Sequence, residues 1–262
     1  MQRILDLDLD AFVYGTAHFR DSDSPRLDAE EFPAWQLSEL TAFLETKCLL
    51  DGPRPGFAVE HHGELFFRWR AAIDAGVLVP PFHVTHIDAH ADLGLGDAGY
   101  VHLLTELLAA PVNQRRDPRV GDGGLGDGNY LAFTIANQWI STLDYVIGGR
   151  HGDLNDDTTH TGQPGDLLVY LFENFDLNSG TIRLPLLEAQ NLRENLLSTD
   201  QLQPLALEPP VAFGWEVIQE YHATAPFDLV CVARSPGFTP DAADVLYDAI
   251  RETFIDEQAL RS

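Results

Sequence analysis

Carboxylate and imidazole side chains alternate over one short segment of this chain, and together they could bind a divalent metal ion. Asp88, His90 and Asp92 occupy every second position. In extended backbone such side chains emerge on one face at intervals of roughly 6.5 Å, so we expect all three to converge on one small volume. Mixed carboxylate and imidazole ligation suits Mn, Fe or Zn. The alternative is a turn whose polar groups bond only one another.

A second acid-rich segment lies close to residue 1. Asp6, Asp8 and Asp10 alternate with leucines at the period of a strand, although aspartate is normally depleted in strands. An edge strand with one solvated acidic face is an equally good interpretation of this segment alone. Crowded carboxylates raise one another's pKa unless a cation keeps them ionised. Two acid-rich strand ends in one chain therefore favour a metal site.

Hydrophobic patterning predicts the elements that position these residues. Strands are predicted at residues 3–10, 82–87, 145–147, 167–172, 182–184 and 228–233. Helices are predicted at residues 34–49, 60–75, 100–110, 129–141 and 240–254. Residues 51–56 are predicted to break the chain, and residues 115–128 to form a mobile glycine-rich loop.

This alternation of strands and helices predicts an α/β fold, in the form of a three-layer α/β/α sandwich around a mostly parallel sheet. No linker divides residues 1–262, so we expect a single domain. In open sheets of this kind, ligands bind at the carboxyl ends of the strands. Asp88 directly follows a predicted strand, which is where such a site is expected.

Two adjacent histidines open the predicted helix at residues 60–75. His61 lies one turn before Leu65, so it is predicted to face the buried side, with His62 turned about 100° away. On this pattern alone, the favoured interpretation of His61 is a core histidine whose bonds are satisfied within an amphipathic helix.

Composition narrows the classes of partner. The chain has 41 acids and 16 bases and a formal net charge of -25, which repels nucleic acids and anionic membranes and attracts cations, guanidinium groups included.

The start of the chain does not resemble a signal peptide, and no apolar stretch approaches the roughly 18 residues of a membrane span. Cys48 and Cys231 are predicted to be buried packing residues of a cytoplasmic protein. A homo-oligomer stays possible.

Three motifs together resemble those of a known enzyme superfamily. Asp88-Ala89-His90-Ala91-Asp92 is similar to the Asp-x-His-x-Asp signature of the arginase, agmatinase and deacetylase superfamily, whose ureohydrolases use two manganese ions. The pair Asp8 and Asp10 resembles the second signature of those ureohydrolases, and Glu60-His61-His62 resembles the motif that supplies their first histidine. With residues 234–240, these motifs resemble most closely an atypical branch that includes peptide arginases, which convert arginine residues of peptides to ornithine.

The resemblance implies a site for two Mn²⁺ ions, with Fe or Zn as alternative metals. The implied ligands are Asp8 and Asp88 as bridges, His61 and Asp92 on one ion, and His90 and Asp10 on the other. Two ions lower the pKa of a water between them toward neutrality, so that it can attack a guanidinium carbon and release urea. The candidates for proton delivery to the leaving amine are Asp10, His102, His151 and His160.

Two departures from the superfamily pattern bear on the substrate and the topology. The Asp8 and Asp10 pair precedes the Asp-x-His-x-Asp motif, which requires a rearranged strand order. The strand at residues 229–233 has no acid where arginases carry a guanidinium-binding glutamate, which favours arginine within a peptide, or another cationic guanidino compound, over free arginine. The alternatives are a metal-dependent deacylase of acetylated amines and a non-catalytic metal-binding protein of the same fold.

Overall fold

The described part of the chain is built around one eight-stranded sheet. The structure is a computed structural model that describes residues 1–17, 20–94, 98–149, 180–182, 184 and 209–260. The strands are β1 (Arg3–Asp8), β2 (Arg54–Val59), β3 (Phe82–Asp88), β4 (Ile140–Ile147), β5 (Thr181–Ile182), β6 (Val211–Val217), β7 (Leu229–Ala233) and β8 (Ile255–Asp256). Their order across the sheet is β5-β6-β4-β3-β1-β7-β2-β8. Every neighbouring pair is parallel except β5 with β6.

Helices pack on both faces of this sheet. They are α1 (Leu37–Thr46), α2 (Glu64–Asp74), α3 (Ala98–His102), α4 (Tyr130–Ala136) and α5 (Asp244–Phe254), with a π-helical turn at Leu103–Leu107 after α3. Apolar residues of α2 and α4 belong to one hydrophobic core, and those of α1 and α5 belong to a second. None of the helices in the described ranges is long and apolar enough to cross a bilayer.

The interior strand β7 shows how the sheet separates the two cores. All five of its residues are buried. Leu229 and Cys231 face the core that contains α2, whereas Val230 and Val232 face the core that contains α5, because successive side chains of a strand point to opposite faces. The prediction of an α/β fold with a mostly parallel sheet is confirmed, and the division of the helices between two cores is compatible with three layers.

Three strands of the sheet, β2, β6 and β8, were not predicted. β2 begins at Arg54, inside the segment predicted to break the chain, because Pro55 and Gly56 are ordinarily turn residues. Pro55 pairs with the two-residue edge strand β8, and proline, which has no backbone N–H to donate, is tolerated near the edge of a sheet. β6 alternates poorly, with intermediate or exposed residues over most of its length. The predicted strand at 167–172 lies outside the described residues.

Several elements have bounds that differ from the predicted ones. The first strand stops at Asp8, and a 3₁₀ turn at Leu9–Phe12 follows it. The helix predicted at residues 129–141 ends at Ala136, and β4 already begins at Ile140.

Residue Arg115, at the start of the predicted mobile loop, is buried and donates hydrogen bonds to backbone carbonyls.

Gly56 permits the close approach of β2 to β7. A Cβ added there would lie 1.7 Å from the carbonyl oxygen of Val230. Gly56→Ala is therefore expected to reduce the free energy of unfolding by about 3 kcal/mol, at the upper end of overpacking costs. Chemical denaturation measures this loss against Gly52→Ala, because a Cβ at Gly52 meets nothing within 4 Å. Equal stability of the two variants would contradict the packing described here.

Candidate metal centre

The two acid-rich segments meet at the carboxyl ends of neighbouring strands. β1 and β3 are parallel, with Asp6 opposite His86 and Leu7 opposite Ile87. Asp8 and Asp88 end these two strands, and both are buried. Adjacent placement of β1 and β3 brings the two motifs together in spite of their order along the chain.

Backbone bends, rather than strand spacing, direct the side chains that follow β3. The strand ends at Asp88, whose Oδ1 accepts a hydrogen bond from the backbone N–H of His90 at 2.7 Å. Asp92 has a φ of 49°, a left-handed conformation that aspartate adopts more readily than most residues. The expectation of one continuous extended segment through Asp92 is wrong. Asp88 shares one group of potential ligands with His90 and another with Asp92, and no group among the described residues contains all three.

Asp10 reaches the same volume from the turn after β1. Its backbone N–H donates to Asp8 Oδ1 at 3.1 Å, which caps the 3₁₀ turn. Its own Oδ1 accepts from the N–H of Ala89 at 3.1 Å, and its Oδ2 lies 2.8 Å from His90 Nδ1. The turn therefore places Asp10 beside His90, as the two motifs predict.

The histidine that enters the cluster is His62, not His61. The side chain of His62 is 1% exposed, and its Nδ1 lies 2.9 Å from Asp8 Oδ2, 3.2 Å from Asp88 Oδ2 and 3.0 Å from Asp92 Oδ2. The side chain of His61 is 38% exposed, and its Nδ1 lies 3.6 Å from Asp127 Oδ2. The prediction that His61 faces the buried side is wrong because α2 begins only at Glu64, so the helical period does not apply to either histidine.

Two buried atoms at the centre of the cluster have no hydrogen-bond partner among the described residues. They are His62 Nδ1 and Asp88 Oδ2. Buried polar atoms are rarely left unpaired, and these two face each other at 3.2 Å without hydrogen-bond alignment. A cation bound between an imidazole nitrogen and carboxylate oxygens would satisfy both atoms. The residues present therefore fit a metal ion.

Both candidate histidines are oriented by partners on the far side of their rings. His62 Nε2 lies 3.1 Å from Asp6 Oδ1, and His90 Nε2 lies 3.1 Å from the carbonyl oxygen of Ala17. Both partners are acceptors, so each ring donates from Nε2. The Nδ1 atom of each histidine then points toward carboxylates, as metal-ligating histidines do when their second nitrogen is held by a hydrogen bond.

Asp88 belongs to three of the four groups of potential ligands found among the described residues. Its Oδ2 is the atom close to His62, and its Oδ1 lies 3.8 Å from His90 Nδ1. The groups whose ligand atoms lie within 4.8 Å of one another are Asp8, His62 and Asp88; Asp10, Asp88 and His90; His86, Asp88 and Asp92; and Asp6, His62 and His86. Buried Asp and His groups in this structure could thus hold a metal ion.

Charge crowding shifts the pKa values of the cluster without a cation. Burial together with the charges of Asp88 and Asp8 raises the pKa of Asp10 well above its usual value. Burial and the charge of Asp88 raise the pKa of Asp92 to about 7. Burial lowers the pKa of His90, but the charge and hydrogen bond of Asp10 outweigh it and raise that pKa to about 10. Bound cations would favour the ionised carboxylates instead.

Beneath the ligands lies a buried polar layer that motif analysis missed. Asp6, His86 and Tyr130 are all fully buried. Tyr130 donates a short hydrogen bond to Asp6 Oδ2, and His86 Nδ1 lies 3.0 Å from the same oxygen. Asp6 could have been found from its alternation with Asp8, and His86 from its strand, but no local signal marks Tyr130.

Ser235 supports Asp8 from the end of β7. Its hydroxyl donates a short hydrogen bond to Asp8 Oδ2, and its φ of 45° is left-handed, a strained conformation often found at functional sites. Ser235→Ala is expected to weaken metal binding by about tenfold, as loss of an outer partner does. A chelator competition assay measures this, with Ser141→Ala as the control because the Ser141 hydroxyl lies near Met1. Unchanged affinity in Ser235→Ala would show that the hydroxyl does not orient Asp8.

His102, a predicted catalytic residue, does not reach the cluster. His102 Nδ1 lies 2.9 Å from Glu106 Oε2, one helical turn away, and its ring packs near Phe133. No contact joins His102 to the cluster among the described residues. His151 and His160 lie outside the described residues, so their roles stay predictions. Of the two candidates that the structure describes, Asp10 lies in the cluster and His102 does not.

Comparisons of the whole chain with family models, curated proteins and solved structures find no match. The resemblance to arginases therefore rests on the short motifs, and the assignment of an activity rests on the geometry of the cluster.

Proposed function

We propose that this protein is a binuclear metal-dependent hydrolase of guanidino C–N bonds. The observation that carries this proposal is the position of Asp88, whose two carboxylate oxygens are directed to different histidines, His62 and His90. A carboxylate placed in this way suits a bridge between two adjacent ions. The resemblance of the motifs to those of arginases agrees with this arrangement.

The proposed ligands differ from the implied set at one position, where His62 replaces His61. His62, Asp8, Asp92 and Asp88 would hold one ion, and His90, Asp10 and Asp88 the other. We propose Mn²⁺ as the metal, with Fe or Zn able to use the same ligand types. Two buried hydrogen bonds, one that Asp6 accepts from His62 and one that Ser235 donates to Asp8, would fix the ligands before a substrate arrives.

The proposed chemistry is hydrolysis of an arginine side chain to ornithine and urea. When bound, the two ions would supply a water of lowered pKa and charge stabilisation for its attack on the guanidinium carbon. Asp10 Oδ2, which faces His90, is the described group best placed to hold a proton between the attack and the departure of the amine.

Two features favour a peptide or another cationic guanidino compound over free arginine. β7 has no acidic side chain, so the described strand lacks the guanidinium ligand expected for free arginine. The net charge of -25 would attract a basic peptide. We therefore propose a peptide arginase.

A deacylase is the less favoured enzyme. The deacetylases of the superfamily that the motifs resemble commonly present a pair of histidines and a tyrosine, and His61 and His62 would be that pair here. Only one histidine of the pair His61 and His62 enters the cluster. The hydroxyl of Tyr130 is buried and bonded to Asp6, so it is not available to polarise a substrate carbonyl.

Incubation of the Mn²⁺-loaded protein with arginine-containing peptides and with free arginine tests the proposal. We expect urea and a peptide mass loss of about 42 Da, the CN₂H₂ unit removed by hydrolysis to ornithine, and no reaction after chelation of the metal. Acetate release from acetylated amines would instead support the deacylase. No product from any substrate, with metal bound, would support a non-catalytic metal-binding protein.

A further inference from the structure

We infer that Asp6 is a positioning residue that forces His62 to bind metal through Nδ1. This inference rests on the proposed metal centre and adds a residue that the ligand motifs do not include. Asp6 is fully buried on β1, on the side of His62 opposite to the three carboxylates that approach its Nδ1. It cannot contact a substrate, so its effect must pass through His62.

Each contact of Asp6 is with a group that can donate a hydrogen bond. Its Oδ1 lies 3.1 Å from His62 Nε2, and its Oδ2 accepts from His86 Nδ1 at 3.0 Å and from the Tyr130 hydroxyl. The Tyr130 oxygen also lies 3.0 Å from His62 Nε2, but its one proton is donated to Asp6, so it too can only accept from that nitrogen. His62 Nε2 therefore faces acceptors.

The acceptor at Asp6 therefore determines which nitrogen of His62 carries the proton. Because Nε2 donates to Asp6, Nδ1 is the nitrogen left for a metal, and it is the atom within 3.2 Å of Asp8, Asp88 and Asp92 oxygens. The Tyr130 ring packs against the imidazole, tilted by 32° with centroids 4.6 Å apart, and so restricts rotation of the imidazole. Asp6, His62 and the metal would form a carboxylate–histidine–metal triad. The outer carboxylate of such a triad typically adds 10 to 100-fold to metal affinity.

Asp6→Asn tests this role because the amide keeps the shape of the side chain and removes its charge. A side-chain amide can also present N–H donors to His62 Nε2, which would favour the wrong tautomer. Isothermal titration with Mn²⁺ should show affinity for one ion reduced by 10 to 100-fold, with the ion at His90 and Asp10 retained. Equal affinity for both ions in wild type and Asp6→Asn would overturn the inference.

The matched control is Asp144→Asn. Asp144 lies on β4 of the same sheet and pairs with a histidine at 2.6 Å, between Asp144 Oδ2 and His83 Nε2, but neither residue belongs to a ligand group. If Asp144→Asn lowered metal affinity as much as Asp6→Asn does, the effect would be a general loss of structure and the inference would fail.

A measurement on the wild-type protein keeps the inference testable if Asp6→Asn does not fold. Zn²⁺ is diamagnetic, so long-range ¹H–¹⁵N spectra of the Zn²⁺-loaded protein report both ring nitrogens of His62. We expect a proton on Nε2 and a metal-type shift on Nδ1. Coordination through Nε2, or no metal at either nitrogen, would overturn the inference.

Failure of the proposed activity is distinguishable from failure of this inference. Neither titration nor NMR requires urea to be formed. A protein that binds two ions, shows Nδ1 ligation by His62 and loses one ion in Asp6→Asn, yet releases no urea, would retain the role of Asp6 and lose the proposed function.

Discussion

Asp88→Ala is expected to remove both metal ions and to reduce the rate of urea release by roughly 10³-fold or more. Loss of one member of a set of catalytic groups that act together costs about as much as loss of the whole set. The physical reason is the shared position of this carboxylate. Oδ2 lies 3.2 Å from His62 Nδ1, and Oδ1 lies 3.8 Å from His90 Nδ1. Elemental analysis of the purified variant measures the ions, and a urea assay measures the rate.

The control for Asp88→Ala must separate metal loss from unfolding. Asp144→Asn changes a carboxylate of the neighbouring strand that also pairs with a histidine, and it should retain both ions and full activity. Circular dichroism establishes whether Asp88→Ala keeps its secondary structure. A folded Asp88→Ala protein with two bound ions would contradict the shared position assigned to Asp88.

The adjacent histidines give the second large effect. His62→Ala is expected to weaken binding of one ion by more than the roughly 10 to 100-fold that loss of an outer partner costs, because His62 Nδ1 is itself a proposed ligand. His61→Ala should leave both ions in place, since His61 is 38% exposed and contacts Asp127 instead. Mn²⁺ titration of the two variants side by side measures the difference.

This pair of variants also tests the structural correction directly. Each loses one imidazole from one of two consecutive positions, so composition and local chain context are matched. Metal loss in His61→Ala with retention in His62→Ala would restore the ligand expected from the helical period and would contradict the structure around α2.

The sequence was sufficient to predict most of the cluster because its signals are local. Asp88, His90 and Asp92 are close along the chain, and Asp8 ends a strand whose hydrophobic pattern is clear, with Asp10 in the turn that follows. The two segments come together because β1 and β3 are neighbours in the sheet. The pattern of residues within either segment does not predict that neighbourhood. The resemblance of the motifs supplied that step.

The choice between His61 and His62 could not be made from sequence because it depends on where α2 begins. A shift of the helix start from residue 60 to Glu64 takes both histidines out of the helix, and their directions are then set by a turn. Tyr130 was missed for a related reason. It reaches Asp6 across 124 residues of chain, and tertiary contacts of that kind leave no local pattern.

Strand prediction failed where local residue preferences oppose the tertiary environment. Gly56 is a weak strand former, yet β2 needs it for the close approach to Val230. By contrast, β7 was predicted nearly to the residue, because a run of buried apolar residues is what a central parallel strand requires.

Electron paramagnetic resonance of the Mn²⁺-titrated protein tests the central claim most directly. Two ions bridged by Asp88 would lie about 3.5 to 4 Å apart, as in other two-metal sites, and would be magnetically coupled. We predict saturation at two ions per chain with a coupled spectrum. Saturation at one ion, two uncoupled ions or no tight binding would contradict a binuclear centre.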